Sequence, residues 1–232
     1  MKTRIRVAGR ELKRPGSGLI VAWLLLCVSI TAAASAEAQE RQFQPEYFEK
    51  PERAAWQKPD EVVSKLNLKA GDAVADIGAG SGYFSRRFAG AVGGGGVVYA
   101  ADIDPSMLRY IQKGAEREGI RNIVTVLCAP NDPMLAPGTV DLVFICDTIH
   151  HITNRGDYYG RLRRCLKPGG RIAIVDFEKK PLPVNAPPMN TRISKEELTK
   201  ELAAAGFALS EDLHLLPYQY FLVFIPASAP EK

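Results

Sequence analysis

One short segment concentrates the residues most suited to holding a ligand. Asp76 ends an apolar run, and glycine then recurs at every second position, at Gly78, Gly80 and Gly82. Glycine lets a backbone turn tightly and lets a ligand lie against it without an intervening Cβ atom. Asp102 stands twenty residues after Gly82, where its carboxylate could accept hydrogen bonds from both hydroxyls of a ribose. This spacing predicts a site for a ribose-containing ligand at the ends of two neighbouring strands.

The same segment discriminates between nucleotide ligands. Dinucleotide sites carry the pattern G-x-G-x-x-G, and Tyr83 stands where its third glycine should be. A carboxylate at Asp76 would also repel a pyrophosphate, whereas it would attract an ammonium group. S-adenosylmethionine carries an ammonium and a sulfonium group and no phosphate. The residues therefore favour S-adenosylmethionine as the cofactor, and an NAD-dependent oxidoreductase is the weaker alternative.

A second group of candidate residues follows a later apolar run. Asp147 comes directly after 142–146, and His150 and His151 follow within one turn. A carboxylate or imidazole beside the reacting atoms can take a proton from a hydroxyl or thiol acceptor. These three residues are the candidate catalytic groups, and Asp147 is also a candidate cofactor contact. The alternative is that they cap or pack the start of the next helix. No spacing of Cys, His and acidic residues indicates a metal site.

Alternating strand and helix patterns must position these groups. Strand-like apolar runs lie at 73–77, 97–101, 123–128, 142–146, 171–177, 207–215 and 219–225. Helical patterns lie at 83–92, 105–118, 155–165 and 194–205, and residues 166–170 read as a turn. This alternation predicts an α/β fold with a mostly parallel sheet. The last two strands are joined by too short a connection for a crossover, so they should be antiparallel to each other.

Charge and hydropathy separate the first 36 residues from the rest. Residues 1–36 contain six basic residues and one acidic residue, and the run 19–30 is almost purely apolar. This pattern is typical of a signal peptide cleaved after Ala36 or Ala38, and an uncleaved membrane anchor is the alternative. Both interpretations place the remaining chain outside the cytoplasm, in the periplasm if the leader is removed.

The basic character of the chain belongs to that leader. The remainder has 24 basic and 25 acidic residues, a net charge of −1, although the whole chain carries +4. A nearly neutral domain without a basic stripe argues against a nucleic-acid partner. Membrane contact is expected only through an uncleaved leader.

Four segments together resemble the class I S-adenosylmethionine-dependent methyltransferases. They are 76–82, 101–105, 140–144 running into the two histidines, and 166–170. They occur in the family's order and spacing over roughly residues 60–226. The resemblance implies a Rossmann-like, mostly parallel seven-stranded sheet of order 3-2-1-4-5-7-6, with the last strand antiparallel and helices on both faces.

The resemblance also implies roles for individual residues. Asp76 would help to hold the methionine ammonium, Asp102 would bind the ribose and Ile103 would pack on the adenine. The loop that approaches the cofactor would consist of Gly78, Ala79, Gly80 and Gly82. One position departs from the family, because many relatives have an adenine-binding acid where this chain has Ala129. Asp132 or its neighbour Asn131 would substitute, or stacking and backbone contacts would hold the adenine.

The expected organisation has three parts. They are the leader at 1–36, a polar, irregular N-terminal arm or lid at 37–60 and the methyltransferase domain at 61–232. The aromatic residues of the arm that could cover the acceptor, or simply pack, are Tyr47, Phe48 and Trp56. The expected function is methyl transfer to a small-molecule or lipid-like acceptor. The alternative is a non-catalytic S-adenosylmethionine-binding protein, because the supply of this cofactor outside the cytoplasm is uncertain.

Overall fold

The computed structural model describes residues 44–227, which contain one seven-stranded sheet. The strands are β1 Ala73–Ile77, β2 Val97–Asp102, β3 Ile123–Leu127, β4 Val140–Cys146, β5 Leu166–Phe177, β6 Phe207–Asp212 and β7 Gln219–Pro226. The helices are α1 Pro51–Gln57, α2 Pro59–Lys65, α3 Ser85–Val92, α4 Pro105–Glu118, α5 Arg155–Cys165 and α6 Lys195–Ala204. Short 3₁₀ turns lie at Pro45–Glu49 and Ile149–His151.

The strand order is β3-β2-β1-β4-β5-β7-β6, as predicted. Strands β1 to β5 are parallel, and β7 is antiparallel to both β5 and β6. The register sets Ile77 beside Ala101 on β2 and Ile145 on β4, so three strands end at the same edge. Ligands of open parallel sheets bind at this carboxyl edge. The fold therefore brings the glycine segment, Asp102 and Asp147 to one side of the molecule.

Apolar helix faces cover both sides of the sheet. Helices α2, α3 and α4 bury one side. There the ring of Phe88 on α3 contacts that of Phe144 on β4 at a centroid distance of 4.9 Å. Helices α5 and α6 bury the other side through residues such as Tyr159 and Leu198. All five residues of β1 are buried, as expected for a central parallel strand covered on both faces.

Two segments differ from the expectations drawn from the sequence. Residues 166–170 were expected to form a turn, but they belong to β5, and Leu166 pairs with Val140 before a register shift. The reason is close backbone approach, since a Cβ atom on Gly170 would lie 3.1 Å from the Val140 carbonyl oxygen.

The N-terminal arm is helical where it was expected to be irregular. Helices α1 and α2 each begin with proline, a residue favoured in the first helical turn. Residues from Pro45 onward belong to the same compact unit as the sheet. The predicted leader at 1–36 lies outside the described residues, and within 44–227 none of the helices has the length and apolarity needed to cross a membrane.

Candidate functional site

The glycine segment turns away from the sheet directly after β1. Gly78, Gly80 and Gly82 have φ angles of 70°, 54° and 79°, in the left-handed region that glycine adopts without a steric penalty. The amides of Gly78 and Ala79 both donate to the Ala101 carbonyl on β2, at 2.8 and 3.1 Å. The loop is thus fixed to the end of the neighbouring strand.

Glycine at position 78 permits a contact between the two halves of the site. A Cβ atom there would lie 2.3 Å from the Thr148 hydroxyl oxygen, so only glycine lets the loop pack against the segment that follows β4. The space beside Gly80 is different, since its nearest neighbour is the Phe48 ring at 3.9 Å. Phe48 therefore lies against the part of the loop that is expected to approach the cofactor.

Asp102 lies at the end of β2 with its carboxylate turned towards the loop. It accepts hydrogen bonds from the amides of Gly80 at 2.8 Å and Asp104 at 2.9 Å. Burial raises the pKa of Asp102, and these two amide bonds counteract part of that effect. A carboxylate can accept about four hydrogen bonds, so acceptor positions remain for ribose hydroxyls. Ile103 beside it is 59% exposed and offers the apolar surface expected under an adenine.

Asp76 is buried at the end of β1, with 3% of its surface exposed. It accepts a hydrogen bond of 2.5 Å from the Ser85 hydroxyl. Burial raises the pKa of Asp76 to about 6, although the Ser85 bond opposes the shift. The hydroxyl of Ser81 in the same loop is buried without a hydrogen-bond partner among the described residues. A buried acid and an unpaired polar atom fit an ammonium-bearing, hydroxyl-bearing ligand. We call residues 76–82 together with 102–104 the cofactor edge.

Asp132 is engaged elsewhere. Its carboxylate forms an ion pair with Arg161 on α5 and accepts from the Met134 amide at 2.8 Å, while its backbone pairs with Ala129. The predicted contact of Asp132 with adenine remains a prediction, in which the acid would have to serve Arg161 and the ligand together.

Asp147 has a constrained backbone and a crowded carboxylate. Its φ angle is 53°, a left-handed conformation that aspartate tolerates better than most residues. Gln57 donates to one carboxylate oxygen at 2.9 Å, and Arg53 forms an ion pair with the same oxygen at 3.5 Å. Gln219 donates to the other oxygen. Burial raises the pKa of Asp147 to about 6, and the Arg53 charge opposes that shift. The site therefore surrounds this acid with donors from two distant segments.

Gln57, Arg53 and Gln219 were missed by the sequence reasoning. Gln57 is fully buried and also donates to the Cys146 sulfur and to the Gln219 side chain, both at 3.1 Å. The sequence signal that could have found them is weak. A polar residue inside the aromatic arm is unusual only once the arm is known to be helical and packed.

His150 and His151 differ in their surroundings. The His150 ring is 1% exposed, and its Nδ1 lies 2.8 Å from the carboxylate of Asp176 on β5. His151 is exposed, and its ring packs on that of His150 at a centroid distance of 4.1 Å. Although His151 is exposed, partial loss of water around its ring lowers its pKa, and a charge on His150 would lower it further. We call Asp147, His150, Asp176 and Gln219, together with Gln57, the acceptor edge; of its members, only the first two were predicted.

The predicted arm aromatics make separate contacts. Trp56 packs against Phe177 and Tyr218, at centroid distances of 5.6 and 6.3 Å. Tyr47 is hydrogen-bonded by Asn185, and Phe48 lies beside Gly80. The arm aromatics therefore make packing contacts, and a lid over the acceptor stays a prediction. The described residues include no group of three or more His, Cys, Asp or Glu arranged to hold a metal ion.

Comparison with known proteins agrees with this geometry. Residues 75–174 match the family model described as a methyltransferase domain. A ubiquinone/menaquinone biosynthesis C-methyltransferase, UbiE, of Burkholderia mallei is 32% identical over 120 residues, which are 51% of this chain and 48% of that protein. The chain thus matches about half the length of the curated relatives.

Two solved structures extend the similarity. A S-adenosylmethionine-dependent methyltransferase from Aquifex aeolicus superimposes with a TM-score of 0.75 and 26% identity, over 80% of this chain and all of that one. An N-methyltransferase of Haemonchus contortus, solved with phosphomonomethylethanolamine and S-adenosylhomocysteine, shares the fold at a TM-score of 0.58 and 22% identity, over 68% and 39% of the two chains.

The fold, the cofactor edge and these similarities agree with one another and with the family expected from the sequence. This chain carries a methyltransferase domain of the class I S-adenosylmethionine-dependent family, and S-adenosylmethionine is its cofactor.

Proposed function

We propose that this protein transfers a methyl group from S-adenosylmethionine to a carbon atom of a small, quinone-like aromatic acceptor. The observation that carries the proposal is the contact of Gly78 with Thr148. This contact sets the cofactor edge against the segment that contains Asp147 and His150 of the acceptor edge. The name of the UbiE relative supports carbon as the methylated atom and a quinone precursor as the acceptor class.

When bound, the cofactor supplies an electrophilic methyl group on a sulfonium sulfur. The chain's own residues bind and orient the ligands. Asp76 neutralises the ammonium charge, Asp102 accepts from the ribose and Ile103 supports the adenine. Thr148 and Asp147 follow β4 beside this loop, so the acceptor lies on that side of the methyl group. Alignment and exclusion of water then account for the rate enhancement.

A cavity of about 380 Å³ lies beside Gln219, the one member of the acceptor edge in its lining. Its lining mixes charged residues at the rim with leucines and proline from the β6–β7 connection, and it includes Gln219 and Tyr220. This volume lies within the range of about 300–1,000 Å³ common for small-ligand sites. An acceptor with one apolar and one polar end matches this lining, which supports the small-molecule or lipid-like class expected from the sequence.

Calorimetry with S-adenosylmethionine tests the first half of the proposal. The wild type should bind, and Asp102→Ala should weaken binding about 100-fold, since two or more hydrogen bonds to a charged group are lost. Asp60→Ala is the control, because Asp60 is an exposed carboxylate on α2. Absence of binding by the wild type would sink the proposal.

Incubation with methyl-labelled cofactor and reduced quinone precursors tests the second half. Label should appear on a ring carbon, as mass spectrometry of the fragmented product can show. Label on oxygen or nitrogen would preserve methyl transfer and remove carbon as its target. Binding without transfer to any acceptor in a metabolite extract would favour the alternative, a non-catalytic S-adenosylmethionine-binding protein.

We also propose that the protein is exported, on the strength of the charge and hydropathy of residues 1–36. Cell fractionation followed by N-terminal sequencing checks this. A mature chain beginning at residue 37 or 39 supports cleavage, an intact membrane-bound chain supports an anchor, and a full-length cytoplasmic chain contradicts export.

A further inference from the structure

Two buried side chains at the acceptor edge form a hydrogen-bonded pair that lies outside the cofactor edge. The Nδ1 atom of His150 lies 2.8 and 3.0 Å from the two carboxylate oxygens of Asp176. Both side chains are 1% exposed. The other ring nitrogen of His150, Nε2, is buried and has no hydrogen-bond partner among residues 44–227.

The pairing determines which nitrogen carries the proton. A carboxylate accepts hydrogen bonds, so Nδ1 of His150 donates and the lone pair of the neutral ring lies on Nε2. Buried polar atoms without a partner are rare because they lose the hydrogen bonds that water would supply. An unpaired, proton-accepting nitrogen is therefore available at this edge for a ligand that donates a hydrogen bond.

Tyr220 marks the same place from the neighbouring strand. It is the register partner of Asp176, and partners in an antiparallel pair direct their side chains to the same face of the sheet. Its hydroxyl is also buried without a partner among the described residues. Tyr220 also lines the 380 Å³ cavity, so this strand connects the cavity to the residue paired in register with Asp176.

Asp147 differs from His150 because its proton-accepting atoms already have hydrogen-bond partners. Donors from Gln57, Gln219 and Arg53 already occupy its two oxygens. Protonation of this carboxylate would forfeit at least one of those bonds, whereas protonation of Nε2 on His150 forfeits none. Asp147 therefore links α1 to β7, whereas Nε2 of His150 has no partner among the described residues and can accept a proton.

We propose that His150 is the base that removes the hydroxyl proton of the acceptor, and that Asp176 is the positioning residue that orients it. This inference rests on the proposed function. The O–H proton of the hydroquinone moves to Nε2, and the resulting oxyanion raises electron density on the ring carbon. That carbon forms a bond to the methyl carbon while the carbon–sulfur bond breaks, its electron pair remaining on sulfur. The displaced ring proton then returns to the oxygen, so one proton is released overall.

The first experiment replaces the base. His150→Ala should lower kcat for methylation of a reduced naphthoquinone about 100-fold while leaving the affinity for S-adenosylhomocysteine unchanged. Added imidazole should restore part of the lost rate, because it can enter the vacated space and accept the proton. His214→Ala is the matched control, since His214 is 83% exposed on the β6–β7 connection. Unchanged kcat in His150→Ala would overturn the inference.

The second experiment replaces the positioning residue. Asp176→Asn keeps the side-chain volume but can donate to Nδ1, which moves the ring proton to Nε2 and blocks it as a base. We expect kcat to fall by at least about 100-fold with KM little changed, and Asp176→Glu to recover part of the rate. A loss of folding in Asp176→Asn would appear in circular dichroism. Equal activity of folded Asp176→Asn and wild type would contradict the role of Asp176.

A third measurement does not depend on methyl transfer. The probe is 4-nitrophenol, whose absorbance distinguishes phenol from phenolate, at a pH where the free compound is neutral. The wild type saturated with S-adenosylhomocysteine should bind it as phenolate, and His150→Ala should bind it as phenol. Phenolate binding without any methyl transfer would contradict the proposed function but support the role of His150 as a base. Binding of the neutral phenol by the wild type, or no binding, would overturn the base.

Discussion

The two edges of the site are built in different ways. At the cofactor edge, Asp102 is held by backbone amides of Gly80 and Asp104, all within the β1–α3–β2 unit and the turn that follows it. At the acceptor edge, Asp147 is held by side chains of Gln57 and Gln219, which are 90 and 72 residues away in sequence. Backbone groups bind the carboxylate of Asp102, whereas side chains from α1 and β7 bind the carboxylate of Asp147. A cofactor common to a family can be held by a local motif, while an acceptor specific to one member requires side chains that vary independently.

The contact between the edges is the most sensitive place to break this arrangement. We expect Gly78→Ala to reduce the free energy of unfolding by about 3 kcal/mol, because a φ of 70° is strained for alanine and the new Cβ would overlap Thr148. Urea denaturation measures the change. Gly90→Ala in α3, where a Cβ would meet nothing within 4 Å, should instead stabilise the helix by about 0.5–1 kcal/mol. A loss below 1 kcal/mol in Gly78→Ala would mean that the two edges can separate.

The acceptor edge should depend on its distant donors. Gln57→Leu removes a donor from Asp147 and leaves the Gln219 oxygen and the Arg53 guanidinium without that partner. We expect a loss of about 2 kcal/mol in the free energy of unfolding, the usual penalty for buried polar groups left unpaired. Gln112→Leu, on the exposed face of α4, should change stability little. Equal effects of the two substitutions would show that α1 does not hold the acceptor edge.

The same contrast explains what the sequence could predict. The cofactor edge was predictable because its glycines, Asp76 and Asp102 lie in one stretch with a recognisable spacing. The strand–helix alternation predicted a mostly parallel sheet, and the short β6–β7 connection predicted the antiparallel last pair. The strand order itself was implied by the family resemblance. Gln57 and Gln219 were not predictable, because single glutamines carry no spacing signal and their partner is chosen by the packing of distant elements.

The local errors have physical causes as well. The segment 166–170 has turn-like residues, yet its backbone continues β5 through a register shift beside Val140. The arm was expected to be irregular because residues 37–60 are polar, but Pro51 and Pro59 each start a helix. At 166–170 the tertiary partner determines the conformation, whereas in the arm the prolines are local signals of helix starts.

The pH dependence of cofactor binding should distinguish the cofactor edge from the acceptor edge. Burial raises the pKa of Asp76 to about 6, and only its ionised form attracts the ammonium group. We therefore expect the affinity for S-adenosylmethionine to be constant above pH 6 and to fall about tenfold per pH unit below it. Calorimetry between pH 5 and pH 8 measures this dependence.

Two variants assign that dependence to one edge. Asp76→Asn should bind weakly with no pH dependence in this range, while Asp147→Asn should retain the wild-type slope. The second variant is informative because Asp147 also has a pKa raised to about 6. If Asp147→Asn lost the pH dependence of the affinity, Asp147 would itself contact the cofactor. The two edges would then act as one charged site.

The smallest effect is expected where the arm crosses the cofactor edge. Glu49 forms an ion pair with Arg86 on α3, next to Phe48, whose ring lies beside Gly80. Both charged side chains are partly exposed, so Glu49→Gln should cost less than about 1 kcal/mol of stability. We expect it to accelerate dissociation of S-adenosylhomocysteine about threefold, because a loosened arm leaves the loop sooner, and stopped-flow fluorescence can record that rate. Glu61→Gln, which loses an exposed pair with Lys58, should leave the rate unchanged. An effect of Glu49→Gln as large as that of Asp102→Ala would make the arm a structural part of the cofactor edge, held as tightly as the loop itself.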